Sequence, residues 1–113
     1  REKDELAYHD LVTEHLPQHE FLGEMIAKQL LYYPTVTRET FKNRGRIPDL
    51  FEAGTIESDL GLSKLNPDHD RVMLCGSPAM LRDLKHMLEK RGFVEGNTTK
   101  QADFVVERAF VEQ

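Results

Sequence analysis

The 113 residues, 39% hydrophobic and 31% charged, suffice for one small α/β domain and are too well balanced for a disordered chain. No apolar run is long enough to cross a bilayer, the opening residues lack signal-peptide character, and a net charge of −5 argues against nucleic acid as a general partner. The single cysteine, Cys75, excludes an internal disulfide framework and a multi-cysteine metal site, and it fits a reducing, cytoplasmic setting.

The chain starts at Arg1 without an initiator Met and enters a helical pattern almost at once. That start is expected of a piece of a longer protein. Leu6, Leu11, Val12 and Leu16 recur at near-helical spacing and predict a helix over 4–15, ended by Pro17. A second helix is predicted over 20–28, with Phe21, Met25 and Ile26 on its apolar side. Aromatic and β-branched residues then predict a strand over 30–37, in which Pro34 marks an edge or a bulge. A polar loop covers 38–46. Residues 47–51 open a short helix that stops at Gly54, and 57–60 add a turn before Gly61. After a loop over 64–70, residues 71–76 predict a short buried strand. Ser77 and Pro78 suit the N-cap and first position of a helix that runs to Arg91 and ends at Gly92. A polar connection leads to a last strand over 103–110. Strands alternating with helices predict an α/β fold with a parallel sheet.

Two places carry candidate chemistry. In this acidic chain Arg38, Lys42, Arg44 and Arg46 share one loop, opposed only by Glu39. The loop follows a predicted parallel strand, and ligands bind at the carboxyl ends of such strands. Arginine forks match phosphate oxygens with paired hydrogen bonds. Arg38 and Arg46, with the Thr37 hydroxyl, are therefore candidates to hold a phosphate monoester such as the 2′-phosphate of NADP(H). The alternative is a solvated charged loop. The second place is Cys75-Gly76-Ser77-Pro78, a thiol at a strand end beside a helix N-terminus that favours anions. Gly76 allows backbone and ligand to approach closely. The alternative here is a cysteine packed as a small apolar residue. No base or oxyanion hole backs the thiol as a nucleophile. His15 and His19 flank Pro17, which spoils a helical metal pair, so no metal site is expected. No G-x-G-x-x-G is present.

Several pieces together resemble the bacterial ferredoxin–NADP (flavodoxin) reductase family. They are Arg1 with Asp4-Glu5-Leu6-Ala7-Tyr8; Val36-Thr37-Arg38-Glu39; Gly45-Arg46-Ile47-Pro48; Val72-Met73-Leu74-Cys75-Gly76-Ser77-Pro78-Ala79-Met80; and the ending Val106-Glu107-Arg108-Ala109-Phe110-Val111-Glu112-Gln113. The tail is similar to that of the group ending Ala-Phe-Val-Glu-Lys, with Gln113 in place of lysine. The resemblance implies an oxidoreductase that carries FAD and passes electrons between NADP(H) and ferredoxin or flavodoxin. It implies that Arg38 and Arg46 bind the 2′-phosphate beside Thr37, and that Arg1 lies near the nucleotide phosphates. Cys75 is implied to lie by the nicotinamide as the residue at the catalytic centre, with Gly76 and Ser77 binding beside it. Ala109 and Phe110 are implied to lie against the FAD.

The family's nucleotide half is a Rossmann-like, three-layer domain with five parallel strands in the order 3-2-1-4-5. Against that pattern residues 1–113 are a partial NADP(H)-binding domain. The first strand with its Gly-Thr-Gly loop, most of the second strand and the FAD-binding domain are missing. The three predicted strands would be the third, fourth and fifth, of which only the last two are neighbours. Unpaired edges on that scale are not tolerated alone, so the piece is expected not to form the family sheet by itself. It would stay with the rest of its protein or pair strands with a second copy. Phe110 and Val111, without their flavin, would lie exposed or against another chain. Two other readings remain: an NADH-using flavin reductase of the same superfamily, and a non-catalytic α/β interaction domain.

Overall fold

The computed structural model describes residues 2–97 and 99–107, and the chain divides into two units, Arg1–Arg46 and Ile47–Gln113. In the first unit the helix expected over 4–15 is broken. A 3-10 turn, Lys3–Glu5, ends at Leu6, whose ψ of 80° lies outside the helical range. Helical winding resumes at His9 and widens to a π-helix over Leu11–His15, and a second 3-10 turn, Leu16–Gln18, follows. Local chemistry accounts for the irregular winding. Thr13 Oγ1 donates to the His9 carbonyl at 2.8 Å, and Pro17 has no N–H for the ladder. The N–H of Leu16 reaches back five residues to the Leu11 carbonyl, the π-type bond.

The second helix, α1 (Gly23–Gln29), starts three residues later than expected. His19 delays it: its Nδ1 accepts from the N–H groups of Phe21 and Leu22, both at 3.2 Å. A Cβ on Gly23 would lie 2.3 Å from the Pro17 carbonyl oxygen, so only glycine lets α1 begin there.

The strand expected over 30–37 does not form. A strand needs a hydrogen-bonded neighbour, and the segment finds only the returning loop. Val36 makes a single parallel bridge with Arg44, and Pro34 has no donor to extend it. Leu30 and Leu31 stay exposed.

The second unit runs α2 (Ile47–Glu52), α3 (Thr55–Leu60), β1 (Val72–Cys75), α4 (Pro78–Lys90), β2 (Phe104–Glu107). β1 and β2 pair in parallel, Val72 opposite Phe104 and Cys75 opposite Glu107. Parallel neighbours need a long crossover, and α4 supplies it. Leu81, Leu84 and Leu88 follow the i, i+3, i+7 rule on one face of α4. They pack with Leu74, Met87, Phe93 and Phe104 into the core of this unit. Leu88 and Phe104 are fully enclosed. Gly92, at φ 90°, takes the left-handed turn that ends α4.

β1 is only partly the buried strand the sequence predicts. α4 covers one face, so Leu74 is buried while Met73 is 85% exposed and Cys75 is also exposed. The described part of the last strand ends at Glu107, and expectations for Ala109, Phe110 and Val111 fall outside the described residues.

An ion pair ties α2 and α3 to the end of α4. Arg91 Nη1 lies 3.2 Å from Glu57 Oε2, with both side chains largely buried. Arg91 Nη2 also donates to the Phe51 carbonyl, and the Leu65 N–H donates to Glu57.

Candidate functional site

The basic loop of the first unit is closed at its neck. The Val36 N–H donates to the Asn43 carbonyl at 3.2 Å, and the Gly45 N–H donates to the Val36 carbonyl at 2.9 Å. These bonds make the bridge between Val36 and Arg44, and it is parallel. Past the bridge, Arg38 and Arg46 each stand two residues beyond a paired position, Val36 and Arg44. Both arginines are exposed, and Thr37 is half-buried beside the bridge. Glu39, the acid in the loop, has its carboxylate engaged by the backbone N–H of Lys3.

Gly45 sits at φ 138°, where side chains are strained. Two side chains that the sequence reading passed over complete the neck. Thr35 Oγ1 lies 2.9 Å from the Gly45 carbonyl, and Asn43 Nδ2 donates to the Pro34 carbonyl at 2.8 Å. Asn two residues before Gly at the close of a loop was the available signal.

In the second unit, Cys75, Gly76 and Ser77 lie together where β1 meets α4. Ser77 is the N-cap the sequence predicts, its side chain accepting from the Met80 N–H at 3.3 Å. A Cβ on Gly76 would touch only the Met80 side chain, at 3.4 Å. Cys75 also lines an apolar hollow of about 370 Å³ with Ile47, Phe51, Leu65 and Leu84. Among the described residues no three His, Cys, Asp or Glu side chains converge on a metal position. No described helix is long and apolar enough to cross a membrane. Arg1, Ala109 and Phe110 lie outside the described residues.

Replacing Ser77 by alanine removes a single cap. A loss of about 1 kcal/mol is expected, read as roughly fivefold faster hydrogen exchange at Met80 and Leu81.

No family model matches this chain. It is 46% identical over 114 residues to a ferredoxin–NADP reductase of Azotobacter vinelandii, an alignment that covers all of this chain and 44% of that protein. It is 50% identical over 110 residues to ferredoxin–NADP reductase A of Sorangium cellulosum, covering 97% of this chain and 40% of that one. Among solved structures it matches the crystal structure of a ferredoxin NADP+ reductase from Neisseria gonorrhoeae with bound FAD and NADP. The TM-score is 0.75 at 26% identity, over 96% of this chain and 41% of the other. The chain thus spans less than half the length of the curated relatives it matches. The α/β class read from the sequence is the class of the reductase structure it matches.

Proposed function

We propose that this chain, which belongs to the ferredoxin–NADP reductase family, is the NADP(H)-binding portion of an FAD-dependent ferredoxin/flavodoxin–NADP+ reductase, with Arg38 and Arg46 gripping the 2′-phosphate. One observation carries this: the parallel bridge between Val36 and Arg44 brings the two ends of the loop together, with exposed Arg38 and Arg46 each two residues beyond it. Two exposed arginines near a common base suit a phosphate monoester, which accepts several charge-assisted bonds at once. The half-buried Thr37 adds a hydroxyl close to the same base.

The residues of the second unit fit a different task. Exposed Cys75 and the side-chain-free Gly76 beside it are suited to seat a nicotinamide ring. Ser77, at the head of α4, orients the helix N-terminus beside it. When bound, nicotinamide and flavin supply the hydride chemistry. The chain's own work is to bind, align and exclude water. No general acid or base is required of it. In the same reading residues 1–113 fold beside an FAD-binding domain of the same protein. Ferredoxin or flavodoxin is the electron partner.

The test is reduction of the bound flavin in the full-length protein. NADPH is expected to reduce it at much lower concentration than NADH. A protein that carries no flavin, or reduces it equally with both nucleotides, overturns the proposal.

A further inference from the structure

The bonds across the neck of the arginine loop do not come from the backbone alone. Thr35 Oγ1 sits 2.9 Å from the Gly45 carbonyl and 3.3 Å from the Asn43 carbonyl, partly buried. Asn43 Nδ2 donates to the Pro34 carbonyl at 2.8 Å, also partly buried. Each side chain ties the outgoing strand of the loop to the returning one. Neither arginine is reached by either of these bonds.

We infer that Thr35 and Asn43 are positioning residues for NADP(H) selectivity, setting the placement of Arg38 and Arg46 before the nucleotide arrives. The inference rests on the 2′-phosphate reading above. An isolated bridge of two backbone bonds is a weak hinge, and exposed arginines lose conformational freedom when they converge on one ligand. Locking the neck lowers that loss, because a preformed site orders less on binding. The Thr35 hydroxyl hydrogen and one of the two Asn43 amide hydrogens are engaged within the loop, and on this inference their effect on ligand runs through the arginines.

The test uses the full-length flavoprotein with two probes, 2′-phospho-AMP and AMP, measured by titration calorimetry. Thr35→Val keeps the side-chain shape and removes the hydroxyl, Thr35→Ser keeps the hydroxyl, and Asn43→Leu removes the amide. Thr35→Val and Asn43→Leu are each expected to weaken 2′-phospho-AMP by about three- to tenfold and AMP by less than about twofold. Thr35→Ser is expected to bind 2′-phospho-AMP as the unaltered protein does. In steady state the same two variants raise KM for NADPH and retain kcat. Placed on an Arg38→Ala, Arg46→Ala background, Thr35→Val is expected to have no further effect, since the groups it positions are gone.

A merely structural role would weaken both probes alike, and that result overturns the inference. So does unchanged binding in Thr35→Val. If Asn43→Leu does not fold, the valine and serine variants at Thr35 decide. If the double arginine substitution weakens both probes alike, the 2′-phosphate reading falls. If it weakens 2′-phospho-AMP selectively while Thr35→Val does nothing, only the positioning role falls.

Discussion

Arg38→Ala combined with Arg46→Ala in the full-length flavoprotein raises KM for NADPH by roughly a hundredfold or more and leaves KM for NADH nearly unchanged. A hydrogen bond to a charged group contributes about 1.5–3 kcal/mol. Removing two such partners from one phosphate therefore weakens binding by about 3–6 kcal/mol. Because 1.4 kcal/mol is a factor of ten, even the lower figure gives about two orders of magnitude. On the proposed role, the 2′-phosphate is remote from the reacting carbon, so gripping it would stabilise bound substrate and transition state alike. The expected pattern is a raised KM with kcat retained. Initial rates with both nucleotides, on the variants taken singly and together, provide the measurement. Equal losses with NADPH and NADH would mean that the arginines support the loop and do not read the phosphate.

Glu57→Ala is expected to destabilise the second unit by about 3–5 kcal/mol. Glu57 is 6% exposed and carries three duties. It pairs with Arg91, accepts from the Leu65 N–H, and through Arg91 helps hold the Phe51 carbonyl. Alanine leaves a largely buried guanidinium without its counter-charge and a backbone N–H without its acceptor. Both are costly in a low-dielectric site. Replacing Glu57 and Arg91 together by leucine and methionine is expected to cost less than Glu57→Ala, because no stranded charge remains. Hydrogen exchange of the α4 amides in the full-length protein gives the local opening free energy that tests this. A double variant less stable than Glu57→Ala would show that the pair contributes more than its desolvation takes away.

The second unit was legible because its signals are local and agree with one another. Ser77-Pro78 opens α4, Leu81, Leu84 and Leu88 mark its buried face, and Gly92 closes it. Short apolar runs on either side could then only be the strands that α4 connects. The first unit was not legible in the same way. Tyr32, Tyr33 and Val36 have strand-forming side chains, but propensity counts side chains and a strand needs a partner. Their backbone met a loop and not a ladder. The helix over 4–15 failed for a similar reason. The apolar spacing was real, yet Thr13 and Pro17 altered the ladder that spacing assumes. At the candidate site the arginines were visible by charge. Thr35 and Asn43 were not, because their role depends on a bridge between two segments, a fact of pairing and not of composition.

The parallel bridge also bears on how this loop tolerates change over generations. Arg38 and Arg46 adjoin the neck, while residues 40–42 form the far end of the loop. Lengthening such an end is cheap, about 0.6 kcal/mol for each doubling of loop length, and it does not move the neck. Insertions and deletions can accumulate between the two arginines without moving the bridged residues they follow. Related chains are then better aligned by the bridged residues on either side than by the count of residues between the arginines.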